Sequence, residues 1–138
     1  EKSLLEEGVW KDAAASGCKY LHFGFESGNE RVLQIMDKAT TRDVIRRSLE
    51  LSANVGIWNH AMGFFGFPGE TREEALSSIR FLEDNKDLVH SIGFGTFDLS
   101  RHTPVAKHPE KFGVTAYVNP EWDLALDYYY TVRDGLSV

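Results

Sequence analysis

The sequence predicts an α/β fold around a parallel sheet of at least three strands, and three observations carry that prediction. Apolar, β-prone runs at residues 19–25, 57–67 and 91–99 start roughly every 35 residues with a helical pattern between each pair, as right-handed β-α-β units require. The helical stretches carry their own start and stop signals. Polar and glycine-rich residues gather where each apolar run ends, which is where parallel α/β sheets collect ligands.

The elements follow in order. Leu5, Val9 and Ala13 recur at helical spacing before Gly17 supplies a C-cap. The chain starts without methionine and reads as a piece of a longer protein. "KYLHFGF", aromatic and apolar between glycines, reads as a buried strand. A turn at Ser27-Gly28-Asn29 leads into a short helix from Glu30 to Met36. A second helix runs from Thr41 to Asn54, with Thr40 as N-cap, Asp43 three residues on, and Gly56 as its stop. Its Val44, Ile45, Ser48 and Leu49 share one face.

After the strand at 57–67, Thr71 and Glu74 form a capping box, and Glu73 and Glu74 suit the positive end of the next helix. Ala75, Ile79 and Leu82 are its expected buried stripe. Beyond Ser100 the pattern stops: a long loop has turn signals at Thr103-Pro104, His108-Pro109 and Gly113. A terminal helix is expected from Asn119 as N-cap and Pro120 through Tyr130 to about Asp134. Its tyrosines at 128–130 pack on the sheet or mark a partner surface. The expected division is a core at 1–100 and a packing segment at 101–138.

Composition narrows the class. At 138 residues the chain is one domain in size, long enough to bury about 68% of its unfolded surface. Apolar and charged contents of 42% and 26% are those of an ordinary folded domain. The net charge of −6 and scattered basic residues give no footprint for nucleic acid or an anionic membrane. The single cysteine, Cys18, forms neither an internal disulfide nor a cysteine-ligated metal site, and the cytoplasm is the expected location. The histidines form no metal-like pair on a helix, so no metal site is expected.

The three strand ends hold Glu26-Ser27-Gly28, Gly66-Phe67-Pro68-Gly69-Glu70-Thr71, and Asp98-Leu99-Ser100-Arg101-His102. Most of these residues have an ordinary reading. Gly28 and Gly69 supply positive φ, Glu70 favours a helix N-terminus, Ser27 caps, and Lys38 is solvated near a helix end. Glu26 resists this, because a carboxylate at the buried end of a strand is costly without a donor or solvent. Two other classes stay open at this stage, a nucleotide- or phosphate-binding module and a protein-interaction domain. Against the first, neither G-x-G-x-x-G nor G-x4-G-K-[ST] is present.

"GFESGNERVLQIMDKATT" followed by "GIWNHAMGFFGFPGETREEALSSIRFL" resembles the radical S-adenosylmethionine (radical SAM) superfamily, nearest its methylthiotransferase and cobalamin-dependent branch of Fe–S oxidoreductases. The likeness covers about residues 1–100. It implies the second half of a partial parallel (β/α) barrel, about three strands with flanking helices. It implies that Glu26 meets the ribose of S-adenosylmethionine and that Lys38 meets the methionine carboxylate at the other end. Ser27, Gly66 and Phe67 would complete the cofactor site, and Asp98, Arg101 and His102 would face substrate. The cofactors implied for the parent protein are S-adenosylmethionine and a 4Fe-4S cluster, with cobalamin in one branch. The C-x3-C-x2-C cluster loop is absent here, so the fragment alone is expected to be inactive and to self-associate through an exposed sheet edge.

Overall fold

The computed structural model describes residues 2–117 and 126–136. After a 3-10 turn at Lys2–Leu5 come α1 (Glu7–Ala15), β1 (Tyr20–Glu26), α2 (Glu30–Ile35), α3 (Arg42–Asn54), β2 (Trp58–Phe65), α4 (Arg72–Asp84) and β3 (Ser91–Thr96). The three strands form a parallel sheet in the order β1-β2-β3. His22 lies opposite His60 and His60 opposite Ser91, so these three side chains share one sheet face. The fold class is the one expected from the sequence.

Local signals explain most of the helix ends. The Thr71–Glu74 capping box is present on both sides. Thr41, not Thr40, caps α3: it is the extended residue before the first helical turn, at φ −130° and ψ 163°, and its hydroxyl accepts from the Val44 N–H. α2 ends in a Schellman motif: Asp37 is left-handed at φ 55°, its N–H bonds Gln34 and the Lys38 N–H bonds Leu33.

The buried stripe of α4 is Ser78, Phe81 and Leu82, with Ile79 left 37% exposed. The reason is a hydrogen bond from the Gly28 N–H to the Ser78 hydroxyl at 2.9 Å, which turns Ser78 inward and rotates Ile79 out. Phe25, Leu33, Ile45, Leu49, Ala61, Phe81 and Leu82 form the core between sheet and helices.

The tail departs from expectation. β4 (Leu99–Ser100), β5 (Val114–Tyr117) and β6 (Asp127–Val132) form a small antiparallel sheet in the order β4-β6-β5. The expected loop contains a short helix α5 (Pro104–Lys107) capped by Thr103 and a 3-10 turn at Pro109–Phe112 ended by left-handed Gly113. The expected terminal helix is corrected to a strand over its final part; its start at Asn119 and Pro120 lies outside the described residues. Tyr128, Tyr129, Tyr130, Thr131 and Val132 are β-prone, and alternate burial suits a strand pairing with Val114–Tyr117.

Tyr128, Tyr130 and Val132 pack against a second cluster of Val32, Phe67, Leu99, Val105 and Val114. That cluster crosses the expected boundary at residue 100. Phe97 joins the two sheets, with its ring 5.1 Å from Phe67 and 5.8 Å from Tyr130. No helix among the described residues is long and apolar enough to cross a membrane.

Candidate functional site at the strand ends

The site begins with a defect in β1. Gly24 pairs with Met62 and Glu26 with Gly63, so Phe25 is skipped as a bulge. Phe25 drops into the core, 1% exposed, while Glu26 takes a left-handed φ of 61°. A Cβ at Gly24 would lie 2.7 Å from Glu26 Oε1, so that glycine makes the room the carboxylate occupies. The Schellman turn after α2 brings Lys38 back, and its Nζ reaches Glu26 Oε1 at 2.9 Å. The structure therefore places the two expected cofactor residues in one ion pair. A ligand that uses both must insert between them or replace that pair.

The other expected cofactor residues sit differently. Ser27 is fully buried, its hydroxyl 3.2 Å from that of Ser78 and accepting from the Asn29 N–H. That geometry is the turn-capping role. Gly66 is left-handed at φ 81° and Phe67 is 5% exposed with its ring in the second core cluster, so this strand end offers backbone more than side chain.

The residue that sequence reasoning undervalued is Glu70. It is fully buried, its Oε2 accepts from the Gly66 N–H at 2.7 Å, and its Oε1 has no hydrogen-bond partner among the described residues. Burial raises its pKa above the ordinary value, and the nearby Glu74 charge pushes the same way; the Gly66 N–H pulls it down. The signal was the Gly-Phe-Pro-Gly turn, which folds residue 70 back onto residue 66. Beside it, Arg31 forks onto Glu74, with Nε–Oε1 at 2.5 Å and Nη2–Oε2 at 2.6 Å. That pair holds the Glu74 carboxyl at a pKa of about 2 and raises Arg31. The same Nη2 donates to the Gly69 carbonyl at 2.6 Å.

On the sheet face opposite the helices, Tyr20, His22, Trp58, His60 and Met62 form a continuous patch. His22 and His60 have ring centroids 4.8 Å apart, and His22 Nδ1 lies 3.0 Å from Met62 Sδ. The Ser91 hydroxyl accepts from Trp58 Nε1 at 3.1 Å and meets His60 Nδ1 at 2.7 Å. The sequence placed both histidines in strands without bringing them together. Among the described residues, no group of three or more His, Cys, Asp or Glu side chains is arranged for a metal ion.

The third strand end serves the tail. Arg101 lies with its guanidinium carbon 5.6 Å from the Tyr128 ring centre, and its N–H donates to the Leu126 carbonyl. Asp98 and His102 are exposed, and His102 is left-handed at φ 71°. Burial, reinforced by the Asp98 charge, raises the pKa of Tyr130.

An open parallel sheet with a carboxylate, a cation and a glycine turn at its strand ends is the arrangement at which α/β folds gather ligands. Residues 2–82 match the model of the Radical SAM superfamily, and the chain belongs to that superfamily. An uncharacterised methyltransferase of Pyrococcus horikoshii is 36% identical over 81 residues, 57% of this chain and 17% of that protein. A tRNA-2-methylthio-N(6)-dimethylallyladenosine synthase of Paracoccus denitrificans is 30% identical over 104 residues, 74% of this chain and 20% of that protein. The chain thus spans about a fifth of the length of the curated relatives it matches.

Among solved structures, the radical S-adenosylmethionine methyltransferase TsrM from Kitasatospora setae, with cobalamin and a 4Fe-4S cluster bound, superposes with a TM-score of 0.69. That match is 20% identical and covers 83% of this chain and 23% of TsrM. Coproporphyrinogen III oxidase (HemN) from Escherichia coli, a radical SAM enzyme, gives 0.61 at 15% identity over 78% of this chain and 24% of that one. At these identities the two structures speak for the fold.

Proposed function

We propose that this chain supplies part of the S-adenosylmethionine site of a larger radical SAM enzyme of the methylthiotransferase and cobalamin-dependent branch. The observation that carries the reading is the Glu26–Lys38 pair at the bulged end of β1, an acceptor and a cation on one accessible rim. The residues present fit the ligand with the Glu26–Lys38 pair opened to admit it. Glu26 accepts from ribose hydroxyls, Lys38 neutralises the methionine carboxylate, and the Gly66–Phe67 backbone borders the adenine. Ser27 positions the turn beneath Glu26 by bonding Ser78. Asp98 and His102 face substrate, with Arg101 directing that turn from its place over Tyr128.

Bound beside a reduced 4Fe-4S cluster, S-adenosylmethionine supplies radical chemistry through its own reductive cleavage. The donor set here does not fit the cluster itself: Cys18 is the only cysteine, and three thiolates are needed. Cluster and any cobalamin belong to other parts of the whole protein, and this chain alone is expected to bring about no cleavage. We place that protein in the cytoplasm, where the thiolates a cluster needs stay reduced.

In the protein that carries this chain, Glu26→Ala should weaken S-adenosylmethionine binding about tenfold by isothermal titration, the loss of one charge-assisted contact pair. Unchanged affinity would discard the assignment. A second expectation concerns the isolated chain. Among the described residues the outer edge of β1 is unpaired in the sheet order, and beside it lies a cleft of about 290 Å³ lined by Leu4, Trp10, Leu21, Phe23, Val44 and Ile45. Light scattering on the isolated chain should show self-association through this edge, and a clean monomer at high concentration would count against it.

A further inference from the structure

The Gly66–Thr71 turn is held from three directions, and one of them comes from the far end of the chain. From inside, Glu70 Oε2 accepts from the Gly66 N–H. From α2, Arg31 donates to the Gly69 carbonyl. From beyond β6, the Leu136 N–H donates to the Glu70 carbonyl at 2.8 Å. The residue that permits this last contact is Gly135. It is left-handed at φ 109°, and a Cβ there would lie 2.9 Å from the Glu70 oxygen, 3.0 Å from the Gly69 nitrogen and 3.1 Å from the Gly69 carbonyl carbon. Both its conformation and its packing therefore require glycine.

We infer that the Gly135–Leu136 step is a positioning element for the cofactor turn, pressing the Gly69–Glu70 peptide into place and keeping the Glu70 carboxylate against the Gly66 N–H. The inference rests on the reading of Gly66 and Phe67 as cofactor-bordering backbone, and extends it to the segment that packs on the Gly69–Glu70 peptide. Its chemical logic is mechanical. The turn has two glycines and a proline, and an acceptor displaced from the Gly66 N–H would leave that group unpaired in a buried place. A backbone brace on the Glu70 carbonyl fixes the peptide from which the carboxylate hangs. It also makes whatever follows β6 continuous with the cofactor site, so that a load on the tail reaches the turn directly.

The test uses the protein that carries this chain and compares Gly135→Ala with Gly113→Ala. Gly113 is also left-handed, but among the described residues a Cβ there would meet only Arg133, at 3.5 Å or more, and nothing in the turn. Gly135→Ala should weaken S-adenosylmethionine binding about fivefold and speed hydrogen exchange of the Gly66 amide, whereas Gly113→Ala should strain the tail and change neither. Leu136→Pro, which deletes the donor without adding a Cβ at 135, should reproduce both effects if Gly135→Ala fails to fold. Wild-type affinity and wild-type exchange in both turn-side variants would overturn the inference, as would equal changes in Gly113→Ala. Failure of the unmutated protein to bind S-adenosylmethionine would sink the cofactor reading instead, and the Gly66 exchange rates would still decide whether the brace exists.

Discussion

Replacing Asn59 by alanine should destabilise the fold by about 3 kcal/mol, read as a shift in the denaturation midpoint at unchanged slope. Asn59 is fully buried near the start of β2, where a polar side chain survives only if every group is paired. Its Nδ2 donates to the Leu49 carbonyl at 2.9 Å and the Leu88 carbonyl at 2.8 Å, and its Oδ1 accepts from the Ser52 hydroxyl at 2.7 Å. Its own N–H donates to His90 Nδ1 at 3.0 Å, and its carbonyl accepts from the His90 N–H. One side chain thus ties α3, β2 and the approach to β3 together.

Alanine leaves the Leu88 carbonyl without that donor and opens a void, whereas Ser52→Ala should cost less, about 1 to 2 kcal/mol, because it leaves a single buried acceptor, Asn59 Oδ1, without its donor. The Ser52 hydroxyl retains a second acceptor, the Leu49 carbonyl at 3.0 Å, which is why its loss of Asn59 adds little. A loss below about 1 kcal/mol for Asn59→Ala would mean that water satisfies these groups and that the network does not fix the register.

The reach of the sequence follows the range of each signal. Helix starts and the three parallel strands were legible because capping, turn and apolar patterns act within a few residues, as Thr71 with Glu74 shows. The Glu26 and Lys38 candidates were legible as a motif, but their ion pair depends on a bulge and a left-handed Asp37, neither of which the residue types announce. The tail failed for a related reason. Asn119-Pro120 is a good helix start, yet the strand at 127–132 exists because β5 and the aromatic cluster around Phe97 lie beside it. Glu70 looked like a helix-terminus residue because its partners are set by the fold: the turn returns its carboxyl to the Gly66 N–H, and its carbonyl accepts from Leu136, 66 positions further on.

Glu70 should control both the stability of the Gly66–Thr71 turn and its response to pH. Its folded carboxyl titrates above the ordinary 4.5, mainly through burial, so the folded protein holds that proton more tightly than the unfolded chain does. The stability this group contributes is complete below pH 4.5 and is lost as pH rises through the folded value. Glu74 acts with the opposite sign: its folded pKa of about 2 makes its contribution complete above 4.5 and lost as pH falls toward 2.

Glutamine has the shape of the neutral carboxyl, and its oxygen still accepts from Gly66. Relative to the wild type, Glu70→Gln should therefore gain stability as pH rises from 4.5 to neutrality, whatever constant offset its amide N–H groups add in the place of Oε1. Glu70→Ala should instead lose about 2 to 3 kcal/mol at neutral pH, because the buried Gly66 N–H then has no acceptor. In the protein that carries this chain, alanine should also weaken S-adenosylmethionine binding while glutamine preserves it, since only alanine frees the turn. Parallel stability profiles for wild type and Glu70→Gln between pH 4.5 and neutrality would show that the carboxylate is hydrated, and that burial does not govern its titration.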